Sequence, residues 1–184
     1  MAVSTTKNQY VKNIVIAGIL TAFSLIIPLF PFKLPFPQPF SVTFAAHVPT
    51  LVAMFFSPWV AVCTVIGSTV GFFISLGPIV AIRAASHIVF ALVGAYMLKK
   101  KVNTYLVFVI CAVLHGLGEA VSVYAFGPIC GFANSTSLTY LIETVFGITV
   151  FHHAVDCVIS VVLLVALEKA KFLKNTGVIP KKTH

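Results

Sequence analysis

The few side chains that can ionise inside long apolar runs are the places where this sequence can do chemistry. Arg83 is the only basic residue within such a run, and His87 follows it by one helical turn. A charge in hydrocarbon is costly unless it faces a cavity or a partner. The guanidinium keeps its proton and presents a fork of donors, so Arg83 is suited to bind a carboxylate in bidentate geometry.

Other polar residues fall in the same outer layer of the membrane as Arg83. His115 and Glu119 are four residues apart and therefore lie on one helical face. A layer of this kind, on three successive helices and a loop, predicts an outward-opening pocket for a small polar molecule. The members of the layer are Arg83, His87, Glu119, Tyr124, Asn134, Tyr140 and Glu143, and His47, at the outer end of the second span, can join them.

The same residues also allow a purely internal role. Arg83 can form an ion pair with Glu119 or Glu143 inside the bundle, without any ligand. The two interpretations are compatible, because a ligand carboxylate could share Arg83 with that partner or displace it.

A second polar group lies deeper, in the last apolar run. His152 and Asp156 are one turn apart, His153 adjoins them, and His115 could approach from the neighbouring helix. Imidazole and carboxylate at this spacing suit zinc or a similar divalent ion. Histidine inside a membrane helix more often forms interhelical hydrogen bonds, so we predict no metal site and no cofactor.

The elements that position these residues must be membrane helices. The chain has 184 residues, of which 59% are hydrophobic and 9% charged, and its mean hydropathy is +1.07. A soluble domain carries about 25% charged residues. We therefore predict an all-α membrane protein with one domain, 1–184, folded as a six-helix bundle. The predicted spans are 14–30, 44–56, 59–76, 79–98, 105–126 and 138–167.

Basic residues near the ends of the spans predict the topology, because they favour the cytoplasmic side. With six spans, ten of the twelve Lys and Arg residues share one side, and both termini are cytoplasmic. The net charge of +8 is thereby explained by topology, and no nucleic acid is expected as a partner. The run 11–30 lacks a small-residue cleavage pattern, so no cleaved signal peptide is expected.

Two further features concern partners. The segment after the first span contains Pro31, Pro35, Pro37 and Pro39 and is predicted to be an extended loop, either a linker or a lid over the site. The first span carries small residues four apart, which permit close helix packing either within the bundle or against a partner. These residues are Ala17, Gly18, Thr21 and Ala22.

Enzyme classes find little support in the sequence. GxxxxGK[ST] is absent, so the chain has no P-loop of its own and active transport would need partners or a gradient. GxSxG and paired intramembrane aspartates are absent too, which disfavours a membrane hydrolase. A divalent metal permease that uses His115, Glu119, His152, His153 and Asp156 is the alternative from another functional class.

The sequence resembles the substrate-binding S components of energy-coupling factor (ECF) vitamin transporters over nearly its whole length. Several stretches are similar to members assigned to niacin. These are Phe40-Ser-Val-Thr-Phe-Ala-Ala-His47-Val-Pro49, Phe56-Ser-Pro-Trp59, the Arg83 to His87 segment, His115-Gly-Leu-Gly-Glu119 and His152-His153-Ala-Val-Asp156.

The resemblance implies a non-enzymatic transport subunit in the cell (plasma) membrane. Its partners would be a transmembrane coupling (T) subunit and two cytoplasmic ATPase subunits, and the S component would topple to release its vitamin. The small residues of span one would pack on the coupling subunit, and the proline-rich loop would close the site. The pocket of the family corresponds here to Phe40, Arg83, His87, Glu119, Asn134 and Glu143.

A small carboxylate vitamin is the expected substrate. Niacin has one carboxylate and a pyridine ring, which Arg83, His87 and the phenylalanines of the loop could bind. Pantothenate, with hydroxyl and amide groups for Asn134, Glu119 and Glu143, is the second candidate. Biotin is a third carboxylate vitamin.

Overall fold

The computed structural model describes residues 2–30, 33–34 and 42–179. In this part of the chain the fold is a helical bundle with one antiparallel pair of two-residue strands, β1 Lys33–Leu34 and β2 Val42–Thr43. A π-helix covers Tyr140–Gly147, and 3₁₀ turns cover Ile27–Leu29 and Ala133–Thr136. The α-helices are α1 Ala2–Ile26, α2 Val48–Ala53, α3 Pro58–Leu76, α4 Pro78–Ser86, α5 Ile88–Lys99, α6 Thr104–Phe126 and α7 Ile148–Lys169.

The starts of the helices follow from residues with known capping roles. Pro58 and Pro78 occupy first helical positions, where a missing N–H costs nothing. Ser57 caps α3 by accepting from the Val60 N–H, and Asn103 caps α6 by accepting from two backbone N–H groups. Gly77, with φ of +85°, forms the tight turn between α3 and α4.

Five helical segments of the described chain are long and apolar enough to cross a membrane: Tyr10–Leu29, Pro58–Leu76, Pro78–Lys99, Thr104–Phe126 and Tyr140–Lys169. The prediction of an all-α, multi-pass membrane protein is thereby confirmed. Five of the six predicted spans thus have a counterpart among these segments, and the second predicted span, 44–56, is not confirmed. Its helix α2 has six residues, about 9 Å of rise, against a hydrocarbon core of about 30 Å.

The segment 42–57 nevertheless carries the chain from the polar layer to one end of the bundle. At its start, the Thr43 carbonyl accepts a hydrogen bond from His152. At its end, α3 begins beside the start of α1, where the rings of Tyr10 and Trp59 lie 6.5 Å apart. Lys12 Nζ donates to the Phe172 carbonyl at 2.8 Å, so the segment after α7 lies at this same end.

Glycines of α3 allow α1 and α3 to pack backbone to backbone. A Cβ added at Gly67 would lie 2.6 Å from the Thr21 carbonyl oxygen, and one at Gly71 would lie 2.3 Å from that of Leu25. This is a small-xxx-small contact of the kind found between membrane helices. Close helix approach was predicted at the small residues of span one, whereas the glycines that make this contact possible, Gly67 and Gly71, lie on α3.

The small residues of span one point in two directions. Ala17 is buried and Thr21 is half-buried against α3, while Gly18 and Ala22 are exposed. Packing within the bundle therefore accounts for Ala17 and Thr21. Gly18 and Ala22 leave a shallow, open strip on the outer surface of α1.

Candidate functional site

Five of the six histidines of the chain gather in the interior of the bundle. His47 comes from the segment 42–57, and His87 from the junction between α4 and α5. His115 belongs to α6, and His152 and His153 belong to α7. All five are buried. The ring of Phe90 lies below them, 5.0 Å from His115 and 5.3 Å from His153 between ring centroids. The histidines thus form one layer that rests on the apolar core.

A break in the fourth span brings Arg83 and His87 to this layer. The helix is interrupted at His87, whose N–H bonds the Ala84 carbonyl three residues back instead of four. Ser86 supports the break by donating its hydroxyl to the Arg83 carbonyl at 2.7 Å. The side chains of Arg83 and His87 consequently reach the same carboxylate.

That carboxylate is Glu119 on α6. Its Oε2 accepts from Arg83 Nη2 at 2.5 Å and from the Thr149 hydroxyl at 2.6 Å. Its Oε1 lies 3.3 Å from His87 Nε2 and 3.4 Å from His115 Nε2. The structure therefore contains the internal ion pair that the sequence allowed between Arg83 and Glu119. Both residues are buried, so loss of either partner would leave an uncompensated charge.

The imidazoles also contact each other through their ring nitrogens. His115 Nδ1 lies 2.9 Å from His153 Nδ1, and His115 Nε2 lies 3.0 Å from His87 Nε2. The Nε2 atom of His153 has no hydrogen-bonding partner among the described residues. A neutral imidazole offers one donor and one acceptor, so contacts at both nitrogens of His115 constrain the tautomers of its neighbours.

Asp156 on α7 fixes the start of the segment 42–57. Its carboxylate accepts from the Ala45 N–H at 2.9 Å, from the His47 N–H at 3.0 Å and from His47 Nδ1 at 2.8 Å. Ala45 has a φ of +62°, a left-handed conformation that costs about 1 kcal/mol or more for a non-glycine residue. The three bonds hold this strained turn and orient the His47 ring.

A small cavity lies beside these groups, with a volume of about 20 Å³. Its polar lining consists of His47, Arg83, His87, Glu119, Thr149 and His152. This volume accommodates a single water molecule or an ion. A ring-sized ligand would require the walls to separate.

The structure brings together four of the predicted substrate-binding residues, His47, Arg83, His87 and Glu119. Tyr124, Asn134 and Glu143 are exposed, and Tyr140 is half-buried. None of these four lines the cavity. Phe40 lies outside the described residues. A role of any of the nine in substrate binding stays a prediction.

Residues predicted to form two separate groups lie together in the structure. The deeper group was predicted to contain His152, His153 and Asp156, with His115 able to approach it, but His47 contacts both groups, with its ring 4.4 Å from His115 and 4.9 Å from His152. Thr149 was missed altogether. The sequence feature that could have indicated a single site is the occurrence of five histidines in otherwise apolar segments.

A second cavity, of about 750 Å³, lies at the end of the bundle where α1 begins. Lys101, Asn103, Glu168 and Lys174 are among the residues that line it. It is open and basic, and the histidine layer does not contribute to it. We therefore do not assign the substrate site to this cavity, although it is the larger of the two.

The chain is similar to the niacin transporter NiaX of Lactococcus lactis subsp. cremoris (strain MG1363). The two sequences are 42% identical over an alignment of 138 positions, and the alignment covers 70% of this chain and 61% of the relative. The chain thus spans about three fifths of the length of that curated relative. No family model and no solved structure matches the chain. The resemblance to transport proteins for niacin, stated from the sequence, is confirmed by this relative.

Proposed function

We propose that this chain is the high-affinity substrate-binding subunit through which an ATP-driven ECF transporter takes up niacin. The observation that carries the proposal is a buried Arg83 at a cavity with imidazole walls. A guanidinium recognises one carboxylate, and imidazole rings provide flat contacts and hydrogen bonds for a pyridine ring. The similarity to a niacin transporter supports niacin over pantothenate and biotin.

The ion pair of Arg83 with Glu119 prepares the guanidinium for this task. Arg83 Nη2 is bound to one oxygen of Glu119, and Glu119 is held in turn by Thr149. Because the planar guanidinium of Arg83 is already held in place, it loses little side-chain entropy when a second carboxylate binds. For the vitamin to reach Arg83, the cavity must widen, and the proline-rich loop is the segment that we propose to open and close it.

Tyr124, Asn134 and Glu143 remain part of the proposal as residues of the entrance. They are exposed and belong to the end of α6, the loop that follows it and the π-helix. This end of the bundle is opposite to the one where α1 begins. We propose that the entrance faces the outside of the cell and that both termini are cytoplasmic, with segment 42–57 as the sixth passage.

The proposed partners are a transmembrane coupling subunit and two cytoplasmic ATPases. The absence of a P-loop from this sequence supports a separate energy source. Gly18 and Ala22 form an open small-residue strip on α1, which supports a close contact with a helix of the coupling subunit.

Binding of niacin to the purified chain, measured by calorimetry without ATP, tests the proposal. We expect niacin to bind, and nicotinamide, which lacks the carboxylate, to bind more weakly by about 2 kcal/mol, or roughly thirtyfold. Arg83→Lys retains the charge but loses the fork, so it should weaken niacin binding and leave that of nicotinamide unchanged. Lys169→Ala removes an exposed cation as the matched control. Equal affinity for niacin and nicotinamide would contradict the role of Arg83.

A further inference from the structure

Three potential metal-ligand atoms form a compact triangle in the wall of the cavity. His115 Nε2 lies 3.0 Å from His87 Nε2 and 3.4 Å from Glu119 Oε1, and the third edge, from His87 Nε2 to Glu119 Oε1, is 3.3 Å. All three residues are buried. The triangle joins α6 to the break between α4 and α5.

Hydrogen bonds alone cannot satisfy all three edges of this triangle. If both Nε2 atoms carry protons, both can donate to Glu119 Oε1, but the two N–H groups then face each other across 3.0 Å. If only one carries a proton, the lone pair of the other faces the carboxylate oxygen. With Glu119 ionised beside Arg83, each arrangement of protons leaves at least one edge repulsive.

A tetrahedral metal ion makes all three edges favourable at once. Zinc binds imidazole nitrogen and carboxylate oxygen at about 2.0–2.2 Å, so its ligand atoms lie about 3.3 Å apart. The observed edges of 3.0, 3.3 and 3.4 Å match this separation. The three side chains would thus need little movement to bind such an ion.

His47 adds a fourth donor. One of its ring nitrogens lies within 4.8 Å of the other three ligand atoms. Its Nδ1 is bonded to Asp156 at 2.8 Å, so Nε2 is the nitrogen that we assign to the ion. A histidine that binds a metal ion commonly donates its other ring N–H to a carboxylate, and this hydrogen bond fixes its tautomer.

The rest of the site holds Glu119 in the orientation that a metal ion needs. Arg83 and Thr149 both donate to Oε2, so Oε1 remains directed at the two imidazoles. Outer hydrogen bonds of this type are found on carboxylates that bind metals.

We propose that His87, His115 and Glu119, with His47 as fourth donor, bind one divalent transition-metal ion of the zinc class. Three imidazoles and one carboxylate suit zinc by donor type and by number. With four protein donors the site is closed, so the ion is a resident component of the protein and not its cargo.

The ion also explains how the cavity can attract an anion, a step that rests on the proposed function. With neutral imidazoles, Arg83 contributes one positive charge, and Glu119 and Asp156 contribute one negative charge each. Counted over the side chains that the structure describes, the buried layer then carries one net negative charge, which repels a carboxylate. A divalent ion changes the sum to one net positive charge, and the single carboxylate of niacin neutralises it.

Metal analysis of the purified protein is the direct test of the site. After incubation with Zn²⁺ and removal of the free ion, mass spectrometry should find about one zinc ion per chain. The Co²⁺ form should show the intense visible bands of tetrahedral cobalt. His115→Gln and Glu119→Gln should lose both signals while they elute as monodisperse protein. Cys111→Ala, which removes a buried thiol one turn from His115, should retain them.

Calorimetry with niacin then separates this inference from the proposed function. Removal of the metal by a chelator should weaken niacin binding by about tenfold or more, because the carboxylate loses a nearby positive charge. Tight niacin binding by protein from which the metal has been removed would overturn the role of the ion in attracting the anion and leave the proposed function intact. Retained zinc without niacin binding would overturn the proposed function and leave the metal site. Equal zinc content in wild-type protein, His115→Gln and Glu119→Gln would overturn the ligand assignment.

Discussion

At the scale of single residues, the site is a set of buried polar groups that are held by one another. Glu119 joins Arg83, Thr149 and two histidines, and Asp156 joins His47 to a strained turn. Breaking one such buried pair costs about 3–5 kcal/mol because the remaining charge has no partner. The same groups therefore control both the stability of the bundle and the chemistry of the cavity.

The contribution of Asp156 can be measured directly. Asp156→Ala leaves the N–H groups of Ala45 and His47 without their acceptor inside the protein. We expect the free energy of unfolding to fall by about 2–4 kcal/mol. Unfolding of the purified protein in detergent, followed by circular dichroism, measures this loss.

Glu143→Ala provides the matched control, because it removes an exposed carboxylate and should change stability by less than about 0.5 kcal/mol. If the two variants unfold alike, Asp156 does not anchor the turn.

At the scale of elements, the contact of α1 with α3 depends on the absence of side chains at Gly67 and Gly71. Thr21 and Leu25 of α1 approach these positions with backbone oxygens, which cannot rotate away. A larger residue at either position must therefore separate the helices. The exposed side of α1 is free of this restriction.

Substitution of one glycine on each helix tests this packing. Gly71→Ala places a Cβ 2.3 Å from the Leu25 carbonyl oxygen, and we expect it to destabilise the bundle by about 1–3 kcal/mol. Gly18→Ala meets nothing within 4 Å and should not destabilise the bundle, because alanine has the higher helix propensity. Thermal unfolding in detergent compares the two variants. A Gly71→Ala protein as stable as Gly18→Ala would contradict the close contact.

The exposed strip of α1 gives a prediction about assembly. Ala22→Leu should leave niacin binding by the isolated chain unchanged, because Ala22 is exposed and does not line the cavity. It should reduce copurification of the chain with the coupling subunit, since a larger side chain prevents close helix approach. Val162→Leu enlarges an exposed residue of α7 as the control. Equal copurification of both variants would place the contact elsewhere.

At the scale of the whole molecule, the chain separates an end rich in basic residues from an end with the proposed entrance. The first end contains Lys12, Lys101 and Lys174. The hydrogen bond from Lys12 to the Phe172 carbonyl and the larger cavity also lie there. Between the ends lie an apolar core and the layer of histidines. The exposed apolar side chains around the bundle, such as Phe73, Val109 and Val162, suit contact with lipid.

Cysteine labelling in cells tests this orientation. In a background without native cysteines, Asn134→Cys should react with a membrane-impermeant maleimide in intact cells. Lys100→Cys should react only after permeabilisation, because basic ends remain in the cytoplasm. The opposite pattern would reverse the topology, and labelling of both positions in intact cells would show that the two ends are not on opposite sides.

The sequence by itself determined the membrane environment, four of the five candidate spans to within a few residues, and the possibility of an ion pair between Arg83 and Glu119. Hydropathy and charge are sums over local residues, so they can be read along the chain. The span at 44–56 could not be judged in this way, since its apolar composition does not reveal that only Val48–Ala53 is helical.

Only the tertiary structure decided that the two polar groups of the sequence are one site. Depth in a membrane helix is known from sequence to about one turn, whereas a ligand set requires atoms within a few ångströms. His47 reaches this layer because Asp156, 109 residues later, binds its backbone and ring. Contacts between residues so distant in sequence depend on how the helices pack, and no local pattern records them.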